Sequence, residues 1–189
     1  RAFESMPNSK TNIFICHQKL IYKYKINKVI SKKLKKKFKL VKVNKTTKGQ
    51  ANTCILASKL LNNKDKVFIH SCDSLIEYDK LKLIESLNNY DAVILTTKPN
   101  KNHLNNINSY GWVSIRKNKI KKITCKRKAS LNPHKDNVII GSFAFKNKKV
   151  FDKIMKNLFK SKKTINNEYY VDMAFSHALK NKFKIKNLT

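Results

Sequence analysis

Asn62-Asn63-Lys64-Asp65-Lys66-Val67-Phe68-Ile69-His70-Ser71-Cys72-Asp73-Ser74 is the stretch on which the fold turns. Its middle, Lys66-Val67-Phe68-Ile69-His70, is a short apolar run bounded by turn residues, the pattern of a buried strand. Ahead of it, Gly49 opens a turn, and residues 51–61 repeat apolar side chains at Ala51, Cys54, Ile55, Ala57, Leu60 and Leu61, a helical spacing. Further upstream, residues 39–43 and 12–16 read as strands. Between them, residues 20–38 carry Leu20, Tyr24, Val29/Ile30, Leu34 and Phe38 at helical spacing, diluted by lysines. Downstream, Asp79 suits a helix N-cap before Leu81, Ile84 and Leu87, and residues 91–97 form a further strand. Strands alternating with helices predict an α/β domain with an open, mostly parallel sheet flanked by helices.

The pattern changes after residue 100. Residues 112–116 and 120–125 flank Lys117-Asn118-Lys119 as a hairpin, residues 137–145 are a strand, and residues 150–159 and 168–179 are helices. The chain closes on a strand-like Lys182-Phe183-Lys184-Ile185. One domain over residues 1–189, with a β extension in its second half, accounts for this order and for the length.

Composition narrows the function classes. Forty-one per cent hydrophobic residues, with ten Phe, seven Tyr and one Trp, exclude a disordered polycation. Apolar runs of only a few residues exclude a membrane span, and the absence of a leader pattern points to the cytoplasm. The net charge of +32 has two readings. Basic surface binds nucleic acid or an anionic membrane by neutralising phosphates, whereas Lys, Asn, Ile, Phe and Tyr are also what AT-rich codons encode. Only three of the 43 basic residues are Arg, the residue that bidentate phosphate and guanine recognition favours. The lysines also run through every segment, so the codon reading of the charge is favoured and nucleic acid is set aside as the partner. Tyr22/Tyr24 and Tyr169/Tyr170, interleaved with lysines, read as helix packing rather than base-stacking platforms.

Cys16, Cys54, Cys72 and Cys125 form no C-x-x-C, so neither a zinc site nor a disulfide framework is signalled. The pairs His17/Cys16 and His70/Cys72 could ligate a metal, and strand-edge and core packing is the reading favoured for each. Gly49, Gly111 and Gly141 are the only glycines, which excludes G-x-G-x-x-G and the Walker loop. No G-x-S-x-G or H-E-x-x-H occurs. Chemistry is then sought beyond strand ends, where open α/β sheets bind ligands. Thr47-Lys48-Gly49-Gln50-Ala51-Asn52-Thr53 heads a helix, where free amides attract phosphate, or is a plain strand-to-helix turn. Asp73 suits Mg²⁺ carried by substrate phosphates, or caps a turn.

In order along the chain, these pieces resemble the sugar nucleotidyltransferase family. Residues 45–53, followed by Ala57 and Leu60-Leu61, look like its T-x-G-x-A-x-T…A…L stretch. Residues 62–74 resemble its hydrophobic strand ending in an Asp, and Tyr110-Gly111-Trp112-Val113 its Y-G-x-V. Residues 123–128 stand where the family has an acid–Lys or Lys–Lys pair. Residues 138–145 resemble V-G-x-[FY]-x-F, and Asn166-Asn167-Glu168-Tyr169-Tyr170-Val171-Asp172 resembles N-G-E-[FY]-Y-V-D.

The resemblance implies a Rossmann-like fold and Mg²⁺-dependent transfer of a nucleotidyl group from an NTP to a sugar-1-phosphate, as in surface polysaccharide synthesis. It implies that Asp73 holds catalytic Mg²⁺ and that Gly49 and Gln50 line the nucleotide. Gly111 and Glu168 would meet the sugar, and Lys126 its phosphate, with Lys128 the alternative if the register slips by two. The family's Gly-rich triphosphate loop and its C-terminal metal-binding Asp have no counterpart here, and Cys125 replaces an acid. A fragment, inactive in isolation, is therefore expected. The alternatives are a non-enzymatic basic nucleic-acid-binding module and a degenerate regulatory copy. The nucleotide, the sugar and self-association are left open.

Overall fold

The computed structural model describes residues 2–34 and 37–189. Two sheets are present among them. Strands β1 (Asn12–His17) and β2 (Phe38–Val43) form a two-stranded parallel pair in register Asn12 to Phe38 through His17 to Val43. The second sheet has six strands: β3 (Val67–His70), β4 (Ala92–Thr97), β5 (Trp112–Arg116), β6 (Lys119–Thr124), β7 (Asn137–Phe145) and β8 (Ile185–Leu188).

Strand β7 organises the six. Along one edge it pairs with β4, Ala92 opposite Phe145 and Thr97 opposite Val138. Its other edge is shared: β3 takes residues 142–145 and β5 takes residues 137–138. All these pairings are antiparallel, as is β5 with β6; only β4 with β8 runs parallel in this sheet. The α/β expectation holds, and the strand directions are more mixed than strand–helix alternation suggests. The reason is local: after the β5–β6 hairpin, β7 enters the middle of the sheet from the opposite end. That hairpin closes through Lys117 and Asn118 at φ 49° and 57°, the doubly left-handed turn whose twist matches the flanking strands.

Period-2 alternation along β4 and β7 feeds two cores. Ala92, Ile94, Phe143 and Phe145 face helices α6 (Lys148–Lys160) and α7 (Val171–Lys180), burying Phe151, Ile154, Met155, Leu158 and Phe175. The rings of Phe143 and Phe145 stand 5.1 and 5.3 Å from that of Phe175. Val93, Leu95 and Ala144 face the opposite way onto α4 (Lys80–Asn89) through Leu83 and Leu87. Each buried aliphatic or aromatic side chain of this kind contributes about 1.5–3 kcal/mol.

Several sequence expectations are corrected. Asp79 caps α4 by accepting from the Lys82 amide, but Leu81 and Ile84 face solvent and the buried face runs through Leu83 and Leu87. Residues 51–61 form only a short helix, α3 (Gln50–Ile55), followed by a 3-10 turn at Ser58–Leu60. Residues 20–38 are not one helix. They split into α1 (Gln18–Lys23) and α2 (Ile26–Lys33), because Lys25 adopts φ 48° and reverses the chain, and Phe38 already belongs to β2. The rest of that expected helix, at residues 35 and 36, lies outside the described residues. A short helix over Lys101–Asn105, α5, was not signalled by any apolar period; Asn100 and His103 form its capping box instead.

Candidate active site

Two tight structures bring the candidate residues together. Asn166 and Asn167 take φ 51° and 60°, folding Glu168 back onto Ile165, whose backbone exchanges two hydrogen bonds with it at 2.9 and 3.0 Å. Glu168 thus stands outside α7, not at the start of a 168–179 helix. From there Tyr169 zips onto the head of α3: its amide donates to Lys48 O at 2.8 Å, and its carbonyl accepts from Ala51 N–H at 2.9 Å.

Gly49 sits inside this ladder with φ 94°, and a Cβ there would lie 2.7 Å from Tyr169 O and 2.9 Å from Glu168 Cβ. Its carbonyl accepts from the Thr53 amide and hydroxyl, and Thr53 Oγ1 meets Thr47 Oγ1 at 2.5 Å. Both the T-x-G-x-A-x-T stretch and the N-N-E-Y-Y stretch are therefore two sides of one backbone junction.

Glu168, half-buried, accepts a hydrogen bond from the Tyr170 hydroxyl. Lys126 leaves β6 at φ 51° and lays its ammonium 4.6 Å from the centroid of the Tyr170 ring. Its hydrogen bond with Tyr170 is the main reason its pKa rises, with the Glu168 charge adding to it; the bond to Glu168 likewise pushes the Tyr170 phenol up. Lys128 points to solvent.

Gly111 joins from below. Its carbonyl accepts from Ile139 N–H at 2.9 Å, and a Cβ on it would fall 2.1 Å from Asp172 Oδ2. Burial pushes the Asp172 carboxyl up to about 6, with its own backbone N–H and Lys126 pulling the other way. Burial likewise pushes the Cys125 thiol up to about 12, which makes it an inert neighbour. Tyr170 and Asp172 were missed as site residues, although both lie in the stretch that signalled Glu168. Only tertiary contact shows that they link Glu168 to Lys126 and Asp172 to Gly111.

Asp73 stands in its own turn after β3, exposed. Hydrogen bonding from Ser71 and Ser74 and the nearby His70 hold its carboxyl below the usual range, against a small burial cost. His70 is tied to Ser142 Oγ at 2.8 Å and Ser74 O at 2.9 Å, and His17 Nδ1 accepts from Lys19 N–H at the head of α1. Both histidines are engaged in hydrogen bonds, His17 as the cap of α1 and His70 at the end of β3, and neither is part of a hydrophobic core. No cluster of three or more metal-ligating side chains occurs among the described residues. An ionised carboxylate at a strand end still fits Mg²⁺, which takes one or two carboxylates and completes its shell with water and substrate phosphate. Gln50 is the first residue of α3, adjacent to Gly49.

The backbone matches known structures over nearly its whole length. A nucleoside-diphosphate-sugar pyrophosphorylase from Vibrio cholerae RC9 superposes with a TM-score of 0.69 at 12% identity, covering 94% of this chain and 72% of that one. An inositol-1-phosphate CTP transferase from T. maritima gives 0.66 at 17%, covering 95% and 66%. A Bacillus anthracis protein, provisionally described as a glucose-1-phosphate thymidylyltransferase and solved with sucrose, gives 0.63 at 16%, covering 94% and 67%. The chain thus spans about two thirds of the length of these neighbours. A search of curated proteins found no match. At the level of sequence, the profile of the nucleotidyl transferase family matches residues 5–183, both segments of the Gly49 junction included, and the chain belongs to that family.

Proposed function

We propose that this chain is a single nucleotidyltransferase-like domain that handles a sugar-1-phosphate and a nucleotide in the cytoplasm. The observation that carries the reading is the row Lys126–Tyr170–Glu168 beside Gly49 and Gly111. An ammonium next to a carboxylate offers a charge partner for phosphate and an acceptor for sugar hydroxyls within one patch. The two glycines let the Tyr169 backbone and the Asp172 carboxylate pack directly against residues 49 and 111, which fixes the position of the patch. Gly49 and Gln50 then border the nucleotide, Gly111 and Glu168 the sugar, and Lys126 the sugar phosphate.

In the reaction, an oxygen of the sugar-1-phosphate forms a bond to the α-phosphorus of the NTP. The bond from that phosphorus to the bridging oxygen breaks, and pyrophosphate leaves with the electron pair. Such transfer depends on positioning and charge neutralisation rather than on a covalent nucleophile. Lys126 holds the attacking phosphate group, and Glu168, fixed by Tyr170, sets the orientation of the sugar. Mg²⁺, held by Asp73, would supply charge neutralisation on the nucleotide phosphates.

Titration calorimetry with nucleoside diphosphate sugars tests the assignment. Lys126→Ala should weaken binding about tenfold or more, with Lys128→Ala near wild type, because removing one partner of a charged contact costs about 1.5–3 kcal/mol. A larger loss in Lys128→Ala than in Lys126→Ala would overturn it.

A further inference from the structure

Residues 5–64 contain sixteen Lys, no Arg and no acid. The structure folds the middle of this stretch into α1, α2 and β2. Four large apolar or aromatic side chains stand out from it within ten residues: Leu20 is 49% exposed, Tyr22 62%, Tyr24 53% and Val29 46%. The helix-packing reading of Tyr22 and Tyr24 does not survive, since neither ring is buried. Both rings lie against cations of their own chain instead, Lys42 Nζ 5.7 Å from the Tyr22 centroid and Lys23 Nζ 5.2 Å from that of Tyr24. A shallow groove runs between α1, α2 and β2, floored by Ile21 and Leu40 and walled by Tyr22, Lys25, Lys28 and Lys42.

We propose that this α1–α2–β2 face is a docking surface for an anionic lipid bilayer. Charge complementarity names the occupant: every ionised group contributed by residues 5–64 is a cation, so the face repels its own kind and needs a dense array of negative charge. The apolar members select among polyanions. Exposed Leu and Val gain by leaving water for a hydrocarbon boundary, and Tyr favours the headgroup level, where its ring is apolar and its hydroxyl wet. The helices lie on the surface and do not cross it: no helix among the described residues is long and apolar enough to span a membrane. The face is built from residues other than those of the Lys126–Glu168 patch, so it stands whether or not that patch binds a nucleotide sugar.

Co-sedimentation of the chain with vesicles tests the proposal, using phosphatidylcholine alone or mixed with phosphatidylglycerol, at physiological ionic strength. The chain should sediment with the mixed vesicles and not with the neutral ones. Each lysine at the surface is worth roughly fivefold, so Lys25→Gln/Lys28→Gln/Lys42→Gln should weaken binding tenfold or more. The control Lys149→Gln/Lys156→Gln/Lys160→Gln, which removes the same charge from exposed positions on α6, should stay near wild type. Leu20→Ser/Tyr22→Ser should also weaken binding, with native circular dichroism showing that the fold is kept. Equal losses in the two lysine triples would reduce the effect to net charge and overturn the proposal. So would binding to neutral vesicles as tight as to anionic ones, no binding at all, or tighter binding to duplex DNA than to the anionic vesicles.

Discussion

Gly111 lies so close to Asp172 that a Cβ on residue 111 would stand 2.1 Å from the carboxylate Oδ2. The glycine is required by this neighbour and not by its own backbone, unlike Gly49 and Gly141, which have positive φ. Strand β5 and helix α7 meet here with no room for a methyl group. Gly111→Ala should therefore destabilise the fold by about 1–3 kcal/mol, the usual range for overpacking. Gly111→Ala with Asp172→Ala should recover part of that loss, read as the midpoint of urea denaturation.

Asp172 itself gives a pH signature. Its folded pKa is raised by burial to about 6, well above its ordinary value near 3.8. The folded state then holds a proton that the unfolded chain has released between these values, so stability falls as pH rises from about 4 to 6 and stays lowered above that. Asp172→Asn should remove this slope and leave the protein more stable at pH 7 by about 1–3 kcal/mol. The comparison is thermal denaturation of both proteins across that pH range.

Gly49→Ala attacks the other junction. The new methyl would meet the Tyr169 backbone at 2.7 Å with φ at 94°, so strain and collision add. A loss of about 2–4 kcal/mol is expected, accompanied by faster hydrogen exchange at the Ala51 and Tyr169 amides that bridge the two segments.

Lys25 pays a cost of a different kind, since a residue with a Cβ holds the left-handed turn between α1 and α2 at φ 48°. Lys25→Gly should stabilise the chain by about 0.5–1 kcal/mol. A loss of stability would mean that the two helices are not separated by that turn.

Much of this fold is legible in the sequence where burial is two-sided or alternating. Residues 137–145 are read as a strand with the bounds that β7 shows, since Ile139, Phe143 and Phe145, at odd positions, enter one core. The hairpin around Lys117-Asn118 is legible from turn chemistry. Less was available for α1 and α2, where lysines outnumber apolar residues and a single left-handed Lys25 leaves no mark on periodicity. On α4 the helix and its Asp79 cap are legible, but Leu81, Leu83, Ile84 and Leu87 offer more than one apolar stripe, and only the sheet face above decides which is buried. The candidate site divides in the same way. Gly49, Gly111, Lys126 and Glu168 can be picked out one motif at a time. Tyr170 and Asp172 become visible only through contacts between residues far apart in the chain, Lys126 over a ring and Gly111 under a carboxylate.

The most direct measurement is binding of a nucleoside diphosphate sugar to the chain with and without Mg²⁺, in wild type and in Asp73→Ala. The account predicts binding that needs Mg²⁺, is lost in Asp73→Ala, and changes little with salt over a range that abolishes phosphate-driven binding to random DNA. Mg²⁺-dependent binding that persists in Asp73→Ala would contradict it.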